Sequence, residues 1–224
     1  MASAAFGDVQ TVIDLGTGTG RFWPALRHAF PEAQIIAIDI NAPMLTHSEA
    51  NLDRVCRIVA DVSQLPLKDH GADYALCSML LHHVDDPKKV LVGLRSSLRT
   101  GGRVFVRQGT QETVDSFFFL KFFPTALKIE QDRMPASGEV LGMIESSGLS
   151  VIETRQILTP PATTVNDYLT RVKARGFPSL QLVSDEEFQC GIDQLRRHFD
   201  SPSNASEVLA GEATAIFICE VPNA

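Results

Sequence analysis

Apolar positions along the first hundred residues alternate between two spacings. TVIDL (11–15), QIIAI (34–38), VCRIVA (55–60), ADYALCSM (72–79) and RVFVR (103–107) are short runs rich in β-branched residues, of strand length. Between them the spacing lengthens to that of a helix. Phe22, Leu26 and Phe30 fall at i, i+4 and i+8, and Val90, Leu91, Leu94 and Leu98 form one apolar stripe. Pro24 fits only near the start of the first of these helices or at a kink. Asn41 and Pro43 read as helix-start signals ahead of MLTHSEANL, with His47 as a solvated helix residue. Asp86 and Pro87 supply an N-cap and a first helical residue, and Gly101-Gly102 is expected to stop that helix. Strands alternating with crossover helices predict an α/β fold, a doubly wound parallel sheet covered on both sides.

The second half is less regular. Residues 109–135 make a connection far longer than the roughly 2–6 residues usual in such folds. Residues 136–148 read as a helix ending at Gly148, LSVIETRQIL (149–158) as a strand, 164–175 and 184–199 as helices, and ATAIFICEV (213–221) as a last strand. Ser184 and Glu187 have capping-box spacing, so the acidic SDEEF stretch reads as a helix start rather than a metal site. The whole chain, 1–224, is expected to be one domain, with 109–135 and 159–211 as lid or substrate-cover insertions. The first insertion carries SFFFLKFFP (116–124), in which five of seven consecutive residues are phenylalanine. Three readings stay open for it: the lining of an apolar or aromatic substrate pocket, packing on the sheet, or a subunit contact that would make a homodimer.

Candidate chemistry concentrates where strands end. VIDLGTGTGR places Gly16, Gly18 and Gly20 behind the first strand, where glycines let main chain turn tightly and approach a ligand. The run is G-x-G-x-G with Arg21 where a dinucleotide fingerprint would carry its third glycine. Asp39 ends the second strand, placed to accept both hydroxyls of a ribose. Asp61 ends the third, placed for the exocyclic amine of adenine. A diphosphate would be repelled by Asp14, Asp39 and Asp61 together, whereas a cationic adenosine ligand would be attracted.

These residues have a family likeness. D14-L-G-T-G-T-G20, IDIN (38–41), AD61V and DYALCSMLLHHVDDPKKVLVGLRSSLRTGGRVFV (73–106) resemble, in that order, class I S-adenosylmethionine-dependent methyltransferases, in particular the small-molecule and quinone-precursor subgroup. The likeness is good over 11–108 and loose over 136–158 and 212–221. It implies a three-layer, Rossmann-like, seven-stranded, mostly parallel sheet whose last strand is antiparallel. It implies that Asp14 and the turn from Gly16 through Thr17 and Gly18 to Gly20 wrap the methionine moiety of S-adenosylmethionine. Asp39 would hold the ribose, Ile40 with Met44 or Leu45 would pack on adenine, Asp61 and Val62 would face the adenine edge, and Cys77 and Ser78 would border the methionine end. The family carries a helix ahead of the first strand; here ten residues precede Thr11.

Methyl transfer from a sulfonium to an O, N or C atom is an in-line displacement in which protein mainly positions the acceptor and excludes water, leaving S-adenosylhomocysteine. A phenol or hydroxyl acceptor also needs a base, for which His82 and His83 leave the fourth strand at the pocket edge; Gln108, at the end of the fifth strand, could orient an acceptor. The alternative for one of the histidines is a structural hydrogen bond to a loop. Asp85-Asp86 reads first as a helix cap.

Bulk properties narrow the partners. At net charge −7, with 44% hydrophobic and 21% charged residues, the chain suits neither nonspecific nucleic-acid binding nor anionic lipid, and a small-molecule substrate is expected. No apolar run approaches the roughly 18 residues of a membrane span, and MASAAFGDVQ lacks the pattern of a signal peptide, so a cytoplasmic location is expected. Cys56, Cys77, Cys190 and Cys219 are dispersed, and free buried thiols without metal are expected. Two rival functions remain: a nicotinamide-dependent oxidoreductase, disfavoured by Arg21 and Asp61, and a protein of the same fold that binds S-adenosylmethionine without transferring its methyl group.

Overall fold

Thr11–Leu15 form β1, which pairs in parallel with β2 (Gln34–Asp39) on one side and β4 (Ala72–Ser78) on the other. The computed structural model describes residues 8–46, 53–159, 164–200, 204 and 211–223. His47 and the rest of 47–52 therefore lie outside the described residues. β3 (Val55–Val59) pairs in parallel with β2 and β5 (Leu98–Gln108) with β4, while β6 (Ser150–Thr159) and β7 (Glu212–Glu220) complete a seven-stranded sheet in the order β3-β2-β1-β4-β5-β7-β6. The sheet is mostly parallel with antiparallel last strands, which bears out the expectation for the last strand. Between β1 and β4 the chain reverses its direction of travel across the sheet, which opens a crevice at the carboxyl ends of those strands.

The chain divides into two compact units. The first comprises Met1–Gln108, Gly138–Arg155 and Ile216–Ala224. Its sheet is apolar at the centre: Val12, Ile13, Leu15, Ile35, Ile38 and Cys77 are at most 1% exposed. Helix α1 (Trp23–Ala29) follows the glycine turn with Pro24 in its first turn, where no amide hydrogen is missed. Arg27 ties down the far end of α1. Its guanidinium donates to the carbonyls of Phe30, Pro31, Ala33, Asp53 and Arg54, joining the lead-ins of β2 and β3. Helix α2 is described over Ala42–Thr46. Helix α3 (Pro87–Ser97) is capped by Asp86, which accepts from the Lys89 amide at 2.9 Å, and buries Val90, Leu91 and Leu94, each worth about 2 kcal/mol. Asp73 pins the start of β1. It accepts from the amides of Gln10 and Thr11 and from Arg99 Nε at 2.6 Å.

The glycine pair does not stop α3. The helix already ends at Ser97, and Leu98, fully buried, is the first residue of β5 and pairs with Ala72. Gly101-Gly102 instead make an irregularity inside β5, where the register slips between Ala72 and Tyr74. Gly101 donates to the Val221 carbonyl and Val221 donates back to Gly102, a two-way exchange that needs the kink. Among the cysteines, Cys77 and Cys219 are buried and their thiols are pushed up to about 12 by desolvation. Cys56 is exposed because β3 is the sheet edge, and Cys190 is exposed on α7 (Asp185–Phe199), which corrects the expectation for those two.

The second unit comprises Gly109–Ser137 and Gln156–Ala215. The long connection after β5 resolves into two 3₁₀ turns, Val114–Ser116 and Phe118–Phe122, and helix α4 (Pro124–Arg133). Its phenylalanines form this unit's core: Phe119 stacks on Phe177 at 4.2 Å, Phe123 on Phe188 at 5.8 Å, and Phe118 meets Tyr168 and Phe199. Gly191 of α7 is where Phe123 packs, since a Cβ there would lie 2.3 Å from the ring. Tyr168 lies on α6 (Val165–Lys173), whose first turn is capped by Thr164. Helix α5 (Ser137–Ser146), which from Gly138 belongs to the first unit, ends before Gly148 as its glycine signal predicts.

Candidate cofactor and active site

The three glycines of the turn answer different demands. Gly18 has φ +57°, and a Cβ there would meet only Met44 Sδ at 3.9 Å, so the residue offers bare main chain to open space. Gly16 and Gly20 are required by protein packing: a Cβ would come within 2.8 Å of Leu80 and 2.5 Å of Trp23 respectively. Trp23 is fully buried beneath the turn. Its Nε1 donates to Thr17 Oγ1 at 2.7 Å and to the Asp14 carboxylate at 3.1 Å, and the Thr17 hydroxyl donates to the same carboxylate. Burial raises Asp14 to about 6, against the lowering effect of those two donors, and the charge of Asp39 adds to the rise. Asp14 and Thr17 therefore support the turn from behind.

In front of the turn lies a cavity of about 790 Å³ at the carboxyl ends of β1, β2, β3 and β4. Gly16, Gly18, Asp39, Ile40, Met44, Asp61, Val62 and His83 line it. Asp39 accepts from the Gly18 amide through one oxygen and from the Asn41 amide through the other, both at 2.8 Å. Asp61 accepts from the Ser63 amide at 2.8 Å, and hydrogen bonds from Ser63 hold its carboxyl below the usual range. Ile40 and Met44 are 71% and 45% exposed, an apolar shelf beside these acids. The wall carries four carboxylates, Asp39, Asp61, Asp85 and Asp86, against one lysine, Lys89.

Several wall residues are not among the site residues expected from the sequence. Asn41 and Ser63 each follow a strand-end acid by two residues and cap it with an amide. Met79, Leu80 and Val84 belong to the turn after β4, and Met79 stands in the left-handed region at φ +53° while its amide donates to the Arg107 carbonyl. Other expected site residues lie off the wall. Gly20 and Cys77 are buried; Ser78 is half-buried and receives a 3.4 Å contact from Arg107 Nη1. Gln108 is fully buried, with Nε2 2.6 Å from His82 Nδ1. Among the described residues no cluster of histidine, cysteine and carboxylate could hold a metal ion.

Residues 13–106 match the family model of the methyltransferase domain. That match covers 94 of the 224 residues. The resemblance to class I S-adenosylmethionine-dependent methyltransferases of small-molecule type is thereby borne out. Over 100 residues the chain is 35% identical to the malonyl-acyl-carrier-protein O-methyltransferase of Hahella chejuensis, covering 44% of this chain and 36% of that protein. Over 179 residues it is 23% identical to the ubiquinone/menaquinone biosynthesis C-methyltransferase UbiE of Syntrophotalea carbinolica, covering 68% and 74%. The chain spans about a third of the length of the malonyl-acyl-carrier-protein O-methyltransferases of Hahella chejuensis and Xylella fastidiosa, 36% and 32%. A solved structure from Anabaena variabilis, assigned as a methyltransferase of an antibiotic biosynthesis pathway, superposes with TM-score 0.74 at 16% identity over 96% of this chain and 95% of that one, and shows the shared fold. The family match ends at Val106, two residues before the buried Gln108.

Proposed function

We propose that this chain is an S-adenosylmethionine-dependent methyltransferase that moves a methyl group, by in-line displacement, to an O, N or C atom of a small, apolar or aromatic acceptor. One observation carries the reading: the Gly18 amide and the Asp39 carboxylate meet at 2.8 Å on the wall of a cavity that holds four carboxylates and one lysine. Such a wall suits a cationic nucleoside and repels a diphosphate. The residues present fit the cofactor, because Gly18 leaves open the space that a Cβ would fill and Ile40 leaves an apolar face for a flat ring. Asp39 would hold the ribose hydroxyls, Asp61 and Val62 the adenine edge, and Ile40 and Met44 the adenine face. When bound, S-adenosylmethionine supplies an activated methyl group on a good leaving group.

The chain's own part is placement, exclusion of water and proton handling. Met79, Leu80 and Val84 give the β4 side of the cavity an apolar wall, which favours an apolar acceptor. His83 is the histidine on that wall and would take the acceptor's proton on its imidazole, then release it to water, since it is exposed. The test is release of S-adenosylhomocysteine from S-adenosylmethionine with a panel of phenols, amines and carboxylates. Acceptor-dependent release is expected. Binding of S-adenosylmethionine without release from any member would instead leave the chain a non-methylating user of the fold.

A further inference from the structure

His82 and His83 leave β4 side by side on the 3₁₀ turn Leu81–His83, but only His83 lines the cavity. The His82 ring sits partly buried behind it, with ring centroids 4.0 Å apart and planes inclined by 43°. Behind His82 stands Gln108, the last residue of β5, which is completely buried and places Nε2 2.6 Å from His82 Nδ1. A buried amide is expensive to leave unbonded, about 1–3 kcal/mol, so this contact is an anchor. Gln108 Nε2 donates, so Nδ1 of His82 accepts, and the neutral ring carries its hydrogen on Nε2. A side chain off the cavity wall is thus tied, through one ring, to a ring on that wall.

We propose that Gln108 and His82 are positioning residues for His83: Gln108 holds the His82 ring, and the His82 ring holds the His83 ring by a close tilted contact, so that the cavity-facing imidazole keeps one orientation. The inference rests on the reading of His83 as proton acceptor and deepens it. A base held on one line to its proton loses little orientational entropy at each turnover, whereas a loose one must be reoriented. The contact also couples the rings electrically, because two imidazoles this close cannot both take a proton cheaply. The charged groups sharing the wall with His83 are Asp39, Asp61, Asp85, Asp86 and Lys89. All five stay in place in the variants below, so differences between variants report the brace.

The experiment is imidazole NMR of the whole chain, which has six histidines, with the His83 signal assigned by its loss in His83→Gln. Gln108→Met keeps the volume and removes the hydrogen bond; His82→Phe keeps a ring and removes both nitrogens. In Gln108→Met the freed His82 competes for the proton, and the His83 titration midpoint is expected to fall by at least about 0.5 pH units. In His82→Phe the competing ring is gone, and the midpoint is expected to rise by a similar amount. S-adenosylhomocysteine affinity, read by calorimetry, is expected to stay within about twofold in both. A midpoint unchanged in both variants, or a tenfold loss of affinity in both, overturns the proposal. Should Gln108→Met fail to fold, His82→Phe carries the test, because His82 is only partly buried. A wild-type chain that bound no S-adenosylhomocysteine would defeat the methyltransferase reading, while the titration midpoints would still decide whether the brace exists.

Discussion

The tips of β1 and β2 and the tips of β4 and β5 close the same unit by different means. At β1 and β2 the main chain does the bonding. Gly16 and Thr17 amides donate to the Ile38 carbonyl at 2.9 and 3.1 Å, and the Gly18 amide donates to Asp39. At β4 and β5 one main-chain bond, from the Met79 amide to the Arg107 carbonyl, is joined by side chains: His82 meets Gln108, Arg107 reaches Ser78, and Leu80 covers Gly16. Main-chain bonding at a turn demands glycine and a short acid at fixed offsets. Side-chain bonding can be met by many residue pairs, brought together from 26 positions apart in the case of His82 and Gln108. The first end is therefore specified by local sequence and the second by the fold.

Substitutions at the two ends sharpen this contrast. The largest effect is expected at Gly20→Ala, where a methyl would collide with the Trp23 ring and force a left-handed alanine. A loss of about 3–4 kcal/mol is expected in urea unfolding, read through the chain's single tryptophan. Next comes Asp14→Asn. The folded value of Asp14, about 6, lies above its ordinary 3.8, so the native state holds this proton more tightly than the unfolded chain does. Stability from this group is fully present below pH 3.8 and is lost as pH rises through about 6. The wild-type-minus-variant stability curve should fall by about 3 kcal/mol across that window, and a flat difference would show that Asp14 is not buried as charge.

At the other end, His83→Gln should lower turnover roughly 100-fold with S-adenosylhomocysteine affinity unchanged, as expected for a proton acceptor that does not hold the cofactor. The smallest effect on stability is expected at Gly18→Ala. Its Cβ meets nothing closer than Met44 Sδ at 3.9 Å, so only the left-handed backbone costs, about 1 kcal/mol. If Gly18→Ala and Gly20→Ala destabilised the chain equally, the division of labour among the turn's glycines would be wrong.

The same contrast explains what is legible in the sequence. The strands of the first unit are readable because each is a short apolar run, β1, β2 and β3 ending at or within two residues of a glycine or aspartate, and Asp39, Asp61, Gly16 and Gly18 do line one cavity. The start of β5 is not, because Gly101-Gly102 looks like a helix stop, and only the pairing of Leu98 with Ala72 shows the pair to be a kink within a strand. Gln108 sits at a strand end as its position implies, but the alternation of β5 turns it inward to His82 rather than toward the cavity. The SFFFLKFFP segment announces burial without saying against what. Its rings pack on Tyr168, Phe177 and Phe188, residues far along the chain that no local pattern connects to it.

Asp39, at the tip of β2, is expected to hold a cationic nucleoside. Titration calorimetry of the wild type and Asp39→Ala with S-adenosylmethionine, and with NADH alongside, tests it most directly. Binding of S-adenosylmethionine by the wild type, no binding of NADH, and a loss on the order of 100-fold in Asp39→Ala without loss of cooperative unfolding are expected. Equal affinity of the two proteins for S-adenosylmethionine, or preference of the wild type for NADH, would contradict it.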